Sequence, residues 1–396
     1  MIADRNIICI ASNWSADPTS KHHVMRRLAE RNNIIWVNYH ASRRPQATLA
    51  DFGAASAKIR QFVRGPVRVA DNITVVTPMV IPLPGNAAVA AINKRLLVRQ
   101  IRSVLATLPP RPVQLWSFAP DADYLCGAFD EECVVYYCVD EFGEFTGYDR
   151  HRVLAAEARL AGKADLLIAT SRALFDSKRY LCRRAIHVPH GVDFEHFATA
   201  DRSRRASIPD DIAALTRPIL GFWGLIQDWV DVELLAGIAR IRPDWSLVLI
   251  GDIATDVSQL NGLANVHFLG RRPYRALPHY AEAFDIGIIP FKLNDLTRAV
   301  NPIKLREYLA AGLPVVSTPL PEVEAYRPHV QTAANAGAFV AACETALRKD
   351  SASQSTTRRS AMGSETWDAK VELISIAVEN TVSNQEHLHA PLAAMS

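Results

Sequence analysis

The sequence lacks the patterns that define several large classes of protein. No apolar run approaches the roughly 20 residues that a membrane-spanning helix needs. The six cysteines are scattered, without a CxxC pair or a Cys/His cluster, so they predict free thiols rather than zinc ligands or disulfides. The net charge is only +3, from 44 basic and 41 acidic residues, which argues against nucleic-acid binding as the main function.

Two signatures of nucleotide-binding enzymes are missing as well. The first predicted strand is followed by "ASNWSADPTSKHH", without the glycines of a dinucleotide fingerprint, and the pattern GxxxxGK[ST] does not occur. A dehydrogenase and a P-loop NTPase are therefore disfavoured. The N-terminus lacks the basic region, long apolar stretch and cleavage site of a signal peptide, so we expect a cytoplasmic protein.

What is present is an alternation of short apolar runs with longer helical patterns. The 396 residues are 49% hydrophobic and 21% charged, which is typical of a folded chain with two domains. The runs are rich in Val and Ile and continuously apolar, which predicts strands buried on both faces of parallel sheets. Such runs include "NIICIAS", "NIIWVNY", "CVVYYCVD" and "DLLIATS" in the first half and "PILGFWG", "SLVLIGD", "FDIGIIPF" and "LPVVST" in the second.

The pattern predicts an α/β fold with two doubly wound, Rossmann-like domains that face a cleft. We expect an N-terminal domain over 1–195, a polar linker over 196–217 and a second domain over 218–366. "SASQSTTRRSAMGS" indicates an exposed or mobile segment. A final amphipathic helix is predicted over 367–385, followed by a flexible tail over 386–396.

The segment "NDLTRAVNPIKLREYLAAGLPVVST" contains a cation in an unfavourable place. Asn301 is predicted to be an N-cap and Pro302 the first helical residue, with Gly312 just past the helix end. Lys304 then lies in the first turn, where the helix dipole disfavours positive charge. Either an anion binds there, or Lys304 pairs with Glu307 one turn further on.

A second candidate for phosphate binding is the turn in "GFWGLIQDWVDVELL". Gly224 follows a predicted strand and precedes a helix that begins near Asp228 to Asp231. Glycine at such a turn permits close approach of the backbone to a phosphate, although it is also common there for packing reasons.

The runs "NVHFLGRRPYRALPHYAEAFDIGIIPF" and "NPIKLREYLAAGLPVVSTPLPEV" resemble the nucleotide-sugar half of GT-B glycosyltransferases. The similarity is to glycosyltransferase family 4 (group 1) and related bacterial exopolysaccharide enzymes. It extends more loosely over most of the chain, including "HVPHGVDFEHF" and "VVYYCVDEF". A GT-B fold is implied, with the C-terminal helix returning to the N-terminal domain.

The resemblance implies roles for residues of the second half. Lys304 and the helix amides at Asn301, Pro302 and Ile303 would bind the donor diphosphate, while Glu307 would accept hydrogen bonds from the ribose. Further donor-site candidates are Gly224, the loop residues Arg271, Arg272 and Tyr274, and the polar Arg298.

The resemblance departs at Ala299, where family 4 enzymes carry the first Glu of their E-x7-E pattern. Whether the reaction retains or inverts the anomeric configuration therefore stays open. An inverting enzyme needs a general base, for which Asp140 is the first candidate and Glu141 the second. A related xanthan glucuronosyltransferase group places its base in the corresponding region. Alternatively, Asp140 is only a helix cap.

Two further groups of side chains could contact the acceptor. His22 and His23 are candidate acceptor ligands, or else exposed imidazoles at a helix start. A predicted helix in "VAAINKRLLVRQIRSVLATL" carries Arg95, Arg99 and Arg102 on one face. This face indicates either peripheral contact with an anionic inner membrane or an ordinary solvated surface.

No metal and no cofactor is expected. The DxD spacing of Asp121 and Asp123 in "PDAD" is used for metal in another glycosyltransferase fold, but helix capping explains it better here.

The predicted function is sugar transfer from a nucleotide diphosphate, with UDP favoured. The expected acceptor is a hydroxyl of a glycan or a polyprenyl-diphosphate-linked oligosaccharide, in the synthesis of a bacterial surface or exopolysaccharide. The alternatives are a nucleotide-sugar epimerase and a non-catalytic nucleotide-sugar-binding subunit.

Overall fold

The computed structural model describes residues 1–39, 65–78, 87–200 and 208–389, which form two compact units. Unit 1 combines the chain up to Pro189 with the chain from Lys370 onward, and unit 2 runs from His190 to Ala369. Each unit is built on its own largely parallel sheet. The predicted α/β class with two Rossmann-like domains is therefore confirmed.

Unit 1 contains an eight-stranded sheet in the order β3-β4-β2-β1-β5-β6-β7-β8, parallel except for the antiparallel pair β3 and β4. Its strands are β1 (Asn6–Ala11), β2 (Asn33–Asn38), β3 (Val67–Ala70), β4 (Ile73–Val76), β5 (Val113–Ser117), β6 (Cys133–Cys138), β7 (Leu166–Ala169) and β8 (Ala185–His187). Its first helices are α1 (Ser20–Leu28), α2 (Ala87–Leu105), α3 (Arg150–Lys163) and α4 (Arg172–Lys178). Strands β1 and β6 are buried at every position, because helices cover both faces of the sheet.

Unit 2 contains a fully parallel six-stranded sheet in the order β11-β10-β9-β12-β13-β14. Its strands are β9 (Ile219–Trp223), β10 (Ser246–Ile250), β11 (Val266–Gly270), β12 (Ile286–Ile289), β13 (Val315–Ser317) and β14 (Val330–Thr332). Its first helices are α5 (Phe194–Ala198), α6 (Asp210–Ala213), α7 (Val232–Ile241), α8 (Leu277–Ala283) and α9 (Asp295–Arg298). The later ones are α10 (Ile303–Ala310), α11 (Pro321–Glu324), α12 (Ala336–Lys349) and α13 (Ala352–Met362).

Both sheets reverse their strand order once, between β1 and β5 in unit 1 and between β9 and β12 in unit 2. In open parallel sheets, ligands bind beyond the carboxyl ends of the strands at this reversal point. Each unit therefore has one edge at which a ligand site is expected.

The predicted linker over 196–217 is packed rather than extended. Phe197 of α5 is fully buried and Ile212 of α6 is 1% exposed, and both belong to the core of unit 2. Residues 201–207 lie outside the described part of the chain. The segment was polar enough to suggest a linker, but its isolated apolar residues suffice to attach it to unit 2.

The segment predicted to be exposed or mobile, "SASQSTTRRSAMGS", is mostly exposed and is helical over most of its length. Helix α13 begins after Ser351, whose hydroxyl accepts from the amide of Gln354. The buried Arg358 donates to the carbonyl of Gly312 at 2.9 and 3.0 Å and also contacts Asp350. Since these arginine contacts are tertiary, the polar composition alone gave no sign of them.

The last helix, α14 (Trp367–His389), is longer than the predicted 367–385, and the predicted tail lies partly outside the described residues. Val371, Ile374 and Val378 are fully buried at helical spacing. From Lys370 onward the helix belongs to unit 1, as the resemblance implied. Among the described helices, none is both long and apolar enough to cross a bilayer.

Candidate functional site

Lys304 lies at the reversal point of the sheet in unit 2. Its ammonium nitrogen is 5.5 Å from the ring centre of Phe222 in β9 and 5.9 Å from that of Phe291, which follows β12. Two aromatic faces therefore partly stabilise the cation. The sequence placed Lys304 in the first turn of a helix, and it is the second residue of α10.

Gly224 makes room for this lysine. Its φ of +131° is a value that residues with a side chain rarely adopt, and an added Cβ would stand 2.3 Å from Cε of Lys304 and 2.6 Å from Nζ. The Gly224 amide donates to the carbonyl of Ile250 at 2.8 Å, which fixes the turn at the end of β9. Glycine is needed here for both conformation and close approach.

A second glycine, which was not predicted from the sequence, packs against the same turn. Gly251 follows β10 with a φ of +146°, and an added Cβ would lie 2.0 Å from the carbonyl oxygen of Gly224. The two glycines pack backbone against backbone. The sequence pattern that could have predicted this role is a strand followed by glycine, which occurs at Gly251 as it does at Gly224.

Glu307 is buried beside this turn, with 6% of its surface exposed. Its Oε2 accepts a hydrogen bond of 2.7 Å from the indole nitrogen of Trp223, the last residue of β9. Burial raises the pKa of the Glu307 carboxyl, while the Trp223 hydrogen bond and the charge of Lys304 act to lower it. The carboxyl is thus fixed in place and electrostatically coupled to Lys304.

The start of α10 differs by one residue from the prediction. Pro302 is the N-cap, Ile303 is the first helical residue, and no side chain caps the helix. Asn301 is 2% exposed, and its side chain accepts from Arg306 at 2.6 Å and donates to Glu322 at 3.2 Å. The expected N-cap role of Asn301 is therefore wrong, because its side chain holds the preceding loop instead.

Pro302 thus provides no capping side chain for α10, whose second residue is Lys304. A helix N-terminus of this kind favours an anion through its amide hydrogens and its dipole. The other end matches the prediction, since Gly312 has a φ of +76° and its amide donates to the carbonyl of Leu309 at 2.9 Å.

An aromatic cluster stands next to this site in unit 2. Tyr274 stacks on His196 with ring centres 4.7 Å apart and meets Phe197 edge-on at 5.7 Å. Phe197 in turn stacks on Trp223 at 5.8 Å. Tyr274 was a donor-site candidate, whereas His196 was not recognised, although it lies in the quoted run "HVPHGVDFEHF".

The three candidate arginines of unit 2 occupy different environments. Arg272 pairs with Asp211 at 2.7 Å and donates to the hydroxyl of Tyr280 at 2.8 Å, so its guanidinium links the 271–274 loop to α6 and α8. Arg271 is exposed, and Arg298 is an exposed residue of α9 that pairs with Asp295 at 3.1 Å.

In unit 1, the two candidate bases follow β6 but have different surroundings. Asp140 is half-buried. Glu141 accepts from the ammonium of Lys178 at 2.9 Å, and Lys178 also pairs with the buried Glu157 at 2.7 Å. Glu141 is therefore held in an ion pair with a buried lysine.

His22 and His23 are core residues, with 0% and 3% of their surfaces exposed. The Nδ1 atom of His22 accepts from the amide of Thr19 at 3.2 Å, Nε2 lies 3.2 Å from the carbonyl of Trp14, and the ring packs 4.8 Å from that of Trp36. The expectation of exposed imidazoles is wrong, and acceptor contact by these rings is not supported. Thr19 and the helix start were the local signals for this capping arrangement.

A residue that sequence reasoning missed lies beside them. Lys21, in the first turn of α1, has its pKa lowered by burial, while the nearby Asp140 and Cys9 act to raise it. A cation and the candidate base are thus neighbours at the carboxyl edge of the unit 1 sheet. The only sequence signal for a role of Lys21 was its position next to His22 and His23.

Asp123 is neither a helix cap nor part of a metal cluster. Its carboxylate pairs with Lys163 at 3.1 Å and Arg159 at 3.3 Å, and no side chain caps the short helical turn at Asp123–Leu125. The capping interpretation is therefore wrong, because two cations of α3 hold Asp123. Within the described part of the chain, no group of three or more His, Cys, Asp or Glu could hold a metal ion.

Comparison with solved structures defines the class of fold. HepE of Anabaena in complex with UDP matches with a TM-score of 0.62 at 14% identity, covering 95% of this chain and 100% of that one. The α,α-trehalose 6-phosphate synthase of Burkholderia multivorans matches with a TM-score of 0.65 at 13% identity, covering 99% of each chain. The chain therefore has the two-domain GT-B fold, as predicted.

A family model matches part of unit 2. Residues 217–349 match the family Glycosyl transferases group 1. A putative teichuronic acid biosynthesis glycosyltransferase, TuaH of Bacillus subtilis, is 32% identical over 253 residues. That alignment covers 59% of this chain and 63% of the relative.

Proposed function

We propose that this protein transfers a sugar from a nucleotide diphosphate donor to a hydroxyl of a glycan. The observation that carries the proposal is the position of Lys304. Its side chain passes over Gly224 at the reversal point of the unit 2 sheet, within the region that matches group 1 glycosyltransferases. The Lys304 cation and the N-terminus of α10 lie together at this edge, and this combination suits a diphosphate.

The donor diphosphate would lie against Lys304 and the first turn of α10. As the bond between the anomeric carbon and the diphosphate oxygen breaks, negative charge grows on that oxygen. Lys304 and the amides are fixed before the reaction, so they stabilise this charge without reorganisation. Glu307, fixed by Trp223, would accept a hydrogen bond from the ribose.

UDP is the favoured nucleotide. The fold match to HepE includes structures in complex with UDP and with UDP-glucose, which gives this choice its support. The aromatic rings of Tyr274 and His196 offer a stacking surface next to the site. Arg271 and Arg298 remain candidates for contact with the donor.

The proposed base is Asp140, which would take the proton from the acceptor hydroxyl as its oxygen attacks the anomeric carbon. The acceptor is proposed to be a glycan or a polyprenyl-diphosphate-linked oligosaccharide of a bacterial surface or exopolysaccharide. The similarity to a putative teichuronic acid biosynthesis enzyme supports this acceptor class.

The direct test is a transfer assay with the purified chain. Radiolabelled UDP-, GDP- and dTDP-sugars are each incubated with and without a mixture of lipid-linked and free oligosaccharide acceptors. We expect labelled glycan from one donor class only, and loss of transfer with retained donor binding in Asp140→Asn. Conversion of the donor sugar without acceptor would favour an epimerase, and binding without turnover would favour a non-catalytic subunit.

A further inference from the structure

Helix α2 presents an outward face that mixes cations with apolar side chains. The core side of the helix carries Leu97, Ile101 and Val104, each no more than 5% exposed. The opposite side is here called the α2 surface. It consists of Ala91, Ile92, Arg95, Leu96, Arg99 and Arg102.

The apolar residues of the α2 surface are large and exposed. Ile92 is 44% and Leu96 is 40% exposed, and their spacing of four residues places them side by side on the helix. An ordinary solvated face would carry polar residues at these positions. Together with the adjacent cations they form an apolar spot that a membrane surface can cover.

The charged residues of α2 itself are all basic. From Asn72 to Pro120 the sequence contains five basic residues and no acidic residue. Within the described ranges, no carboxylate pairs with Lys94, Arg95 or Arg99, whereas solvated helices usually interleave both signs.

These cations converge on one open cavity of about 670 Å³. Lys94, Arg95, Arg99 and Arg102 line one side of it, and the Cys126–Ala128 segment lines the other. The Arg102 guanidinium is held at the rim by two hydrogen bonds to the carbonyl of Ala128, of 2.7 and 3.2 Å. The nearby Glu131 carboxylate accepts hydrogen bonds from the backbone amides of Gly127 and Phe129.

We propose that the α2 surface is a docking surface for a bilayer that contains anionic lipids. Phospholipid headgroups complement the cations that line the cavity, and the upper acyl region covers Ile92 and Leu96. A free phosphate would use the cations but would leave the apolar pair exposed. A nucleic acid or an acidic protein would likewise leave the apolar pair uncovered, so a lipid surface accounts for both features.

The proposal is tested by co-sedimentation of the full chain with vesicles. One set contains phosphatidylcholine alone, and the other contains phosphatidylcholine with phosphatidylglycerol. We expect binding to the anionic set only, weakening as salt is raised. Arg95→Gln with Arg99→Gln should weaken that binding about thirtyfold, because each basic residue contributes about fivefold near an anionic surface.

A matched control removes the same charge elsewhere. Arg348→Gln with Lys349→Gln takes two exposed cations from the last turn of α12 in unit 2, and should bind vesicles like the unchanged chain. The pair Ile92→Ser with Leu96→Ser keeps the charge, and should weaken binding at high salt as well as at low salt. Circular dichroism of each variant establishes that the fold is retained.

Several results would overturn the proposal. These are equal binding to both vesicle sets, an unchanged affinity of the Arg95/Arg99 variant, or an equal loss in the Arg348/Lys349 control. Full displacement from vesicles by millimolar-range inorganic phosphate would assign the cavity to a small anion instead. Binding of duplex DNA that is as tight and as sensitive to the same variants would assign the surface to polyanions in general.

Discussion

At the scale of single residues, the candidate donor site depends on one glycine and one lysine that share the same space. Lys304 reaches the sheet edge only because Gly224 has no side chain. Gly224 has two independent features, its φ of +131° and the 2.3 Å separation between an added Cβ and Cε of Lys304. These features can be separated by substitution.

Gly224→Ala is expected to displace Lys304 and to weaken nucleotide diphosphate binding at least tenfold. It should also cost roughly 1–3 kcal/mol of stability through backbone strain. The control is Gly262→Ala, because Gly262 has a φ of +78° but open space around an added Cβ. Calorimetric titration with UDP, together with urea unfolding, measures both quantities.

The Gly262→Ala control should lose stability but keep its affinity for UDP. If both glycine variants bind UDP equally well, the close approach of Gly224 to Lys304 has no part in binding.

His22 gives a prediction on pH. Burial and the neighbouring charges of Lys21 and Arg26 lower its pKa from 6.5 to about 3 in the folded chain. Between these values the unfolded chain binds a proton that the folded chain does not, so stability falls as pH is lowered through this window. The slope is at most about 1.4 kcal/mol per pH unit for one group.

Urea unfolding at pH 7, 6 and 5 should show a smaller loss of stability in His22→Gln than in the unchanged chain. His151→Gln, at an exposed histidine of α3, serves as the control and should keep the original slope. Identical slopes in all three proteins would mean that the His22 ring takes up its proton readily in the folded state.

At the scale of elements, a buried ion pair joins the end of α4 to β6 and α3. Lys178, 3% exposed, lies between Glu157 and Glu141, and Glu157 also accepts from the hydroxyl of Tyr136 at 2.5 Å. Although burial acts to lower the pKa of the lysine, Cys138, Glu157 and Glu141 raise it above its ordinary value. The pair fixes the loop that carries Asp140.

Lys178→Met is expected to cost roughly 3–5 kcal/mol, because it leaves the Glu157 carboxylate buried without its cation. Adding Glu157→Gln should recover part of this loss, since an amide needs no counter-charge. The free energies of unfolding of the two single variants and the double variant test the coupling. Strict additivity would contradict a direct interaction between the two side chains.

The elements also show which features a sequence can predict. Strands such as "CVVYYCVD" were predicted correctly because a short, continuously apolar run is typical of a strand buried on both faces. Gly312 was predicted correctly because glycine is favoured just past a helix end. The role of Asn301 was not predictable, since its partners Arg306 and Glu322 come from elsewhere in the chain. Burial of His22 under Trp14 and Trp36 was hidden for the same reason.

At the scale of the whole molecule, the fold was predictable and the chemistry only partly so. The repeated alternation of strands and helices fixed two Rossmann-like units, each with one reversal point. Lys304 and Glu307 came from a motif within a single helix, where sequence spacing reports spatial proximity. Lys21 and His196 approach their neighbours through tertiary structure, which no local pattern encodes.

The two units should respond differently to the donor. Because the proposed site lies within unit 2, added UDP should slow hydrogen exchange at the turn after β9 and in the first turn of α10. Amides of the unit 1 sheet should exchange as before. Mass spectrometry with peptide resolution measures this, and protection confined to unit 1 would contradict the assignment of the donor to unit 2.

The central claim is that the Lys304 ammonium binds the donor diphosphate. The most direct measurement is calorimetric titration of UDP into the unchanged chain and into Lys304→Met, which keeps an apolar stem over Gly224 but removes the charge. We predict a loss of affinity of about tenfold to a hundredfold, as expected for a charge-assisted hydrogen bond of roughly 1.5–3 kcal/mol, with an unchanged melting temperature in the absence of nucleotide. Equal affinity in the two proteins would contradict the claim.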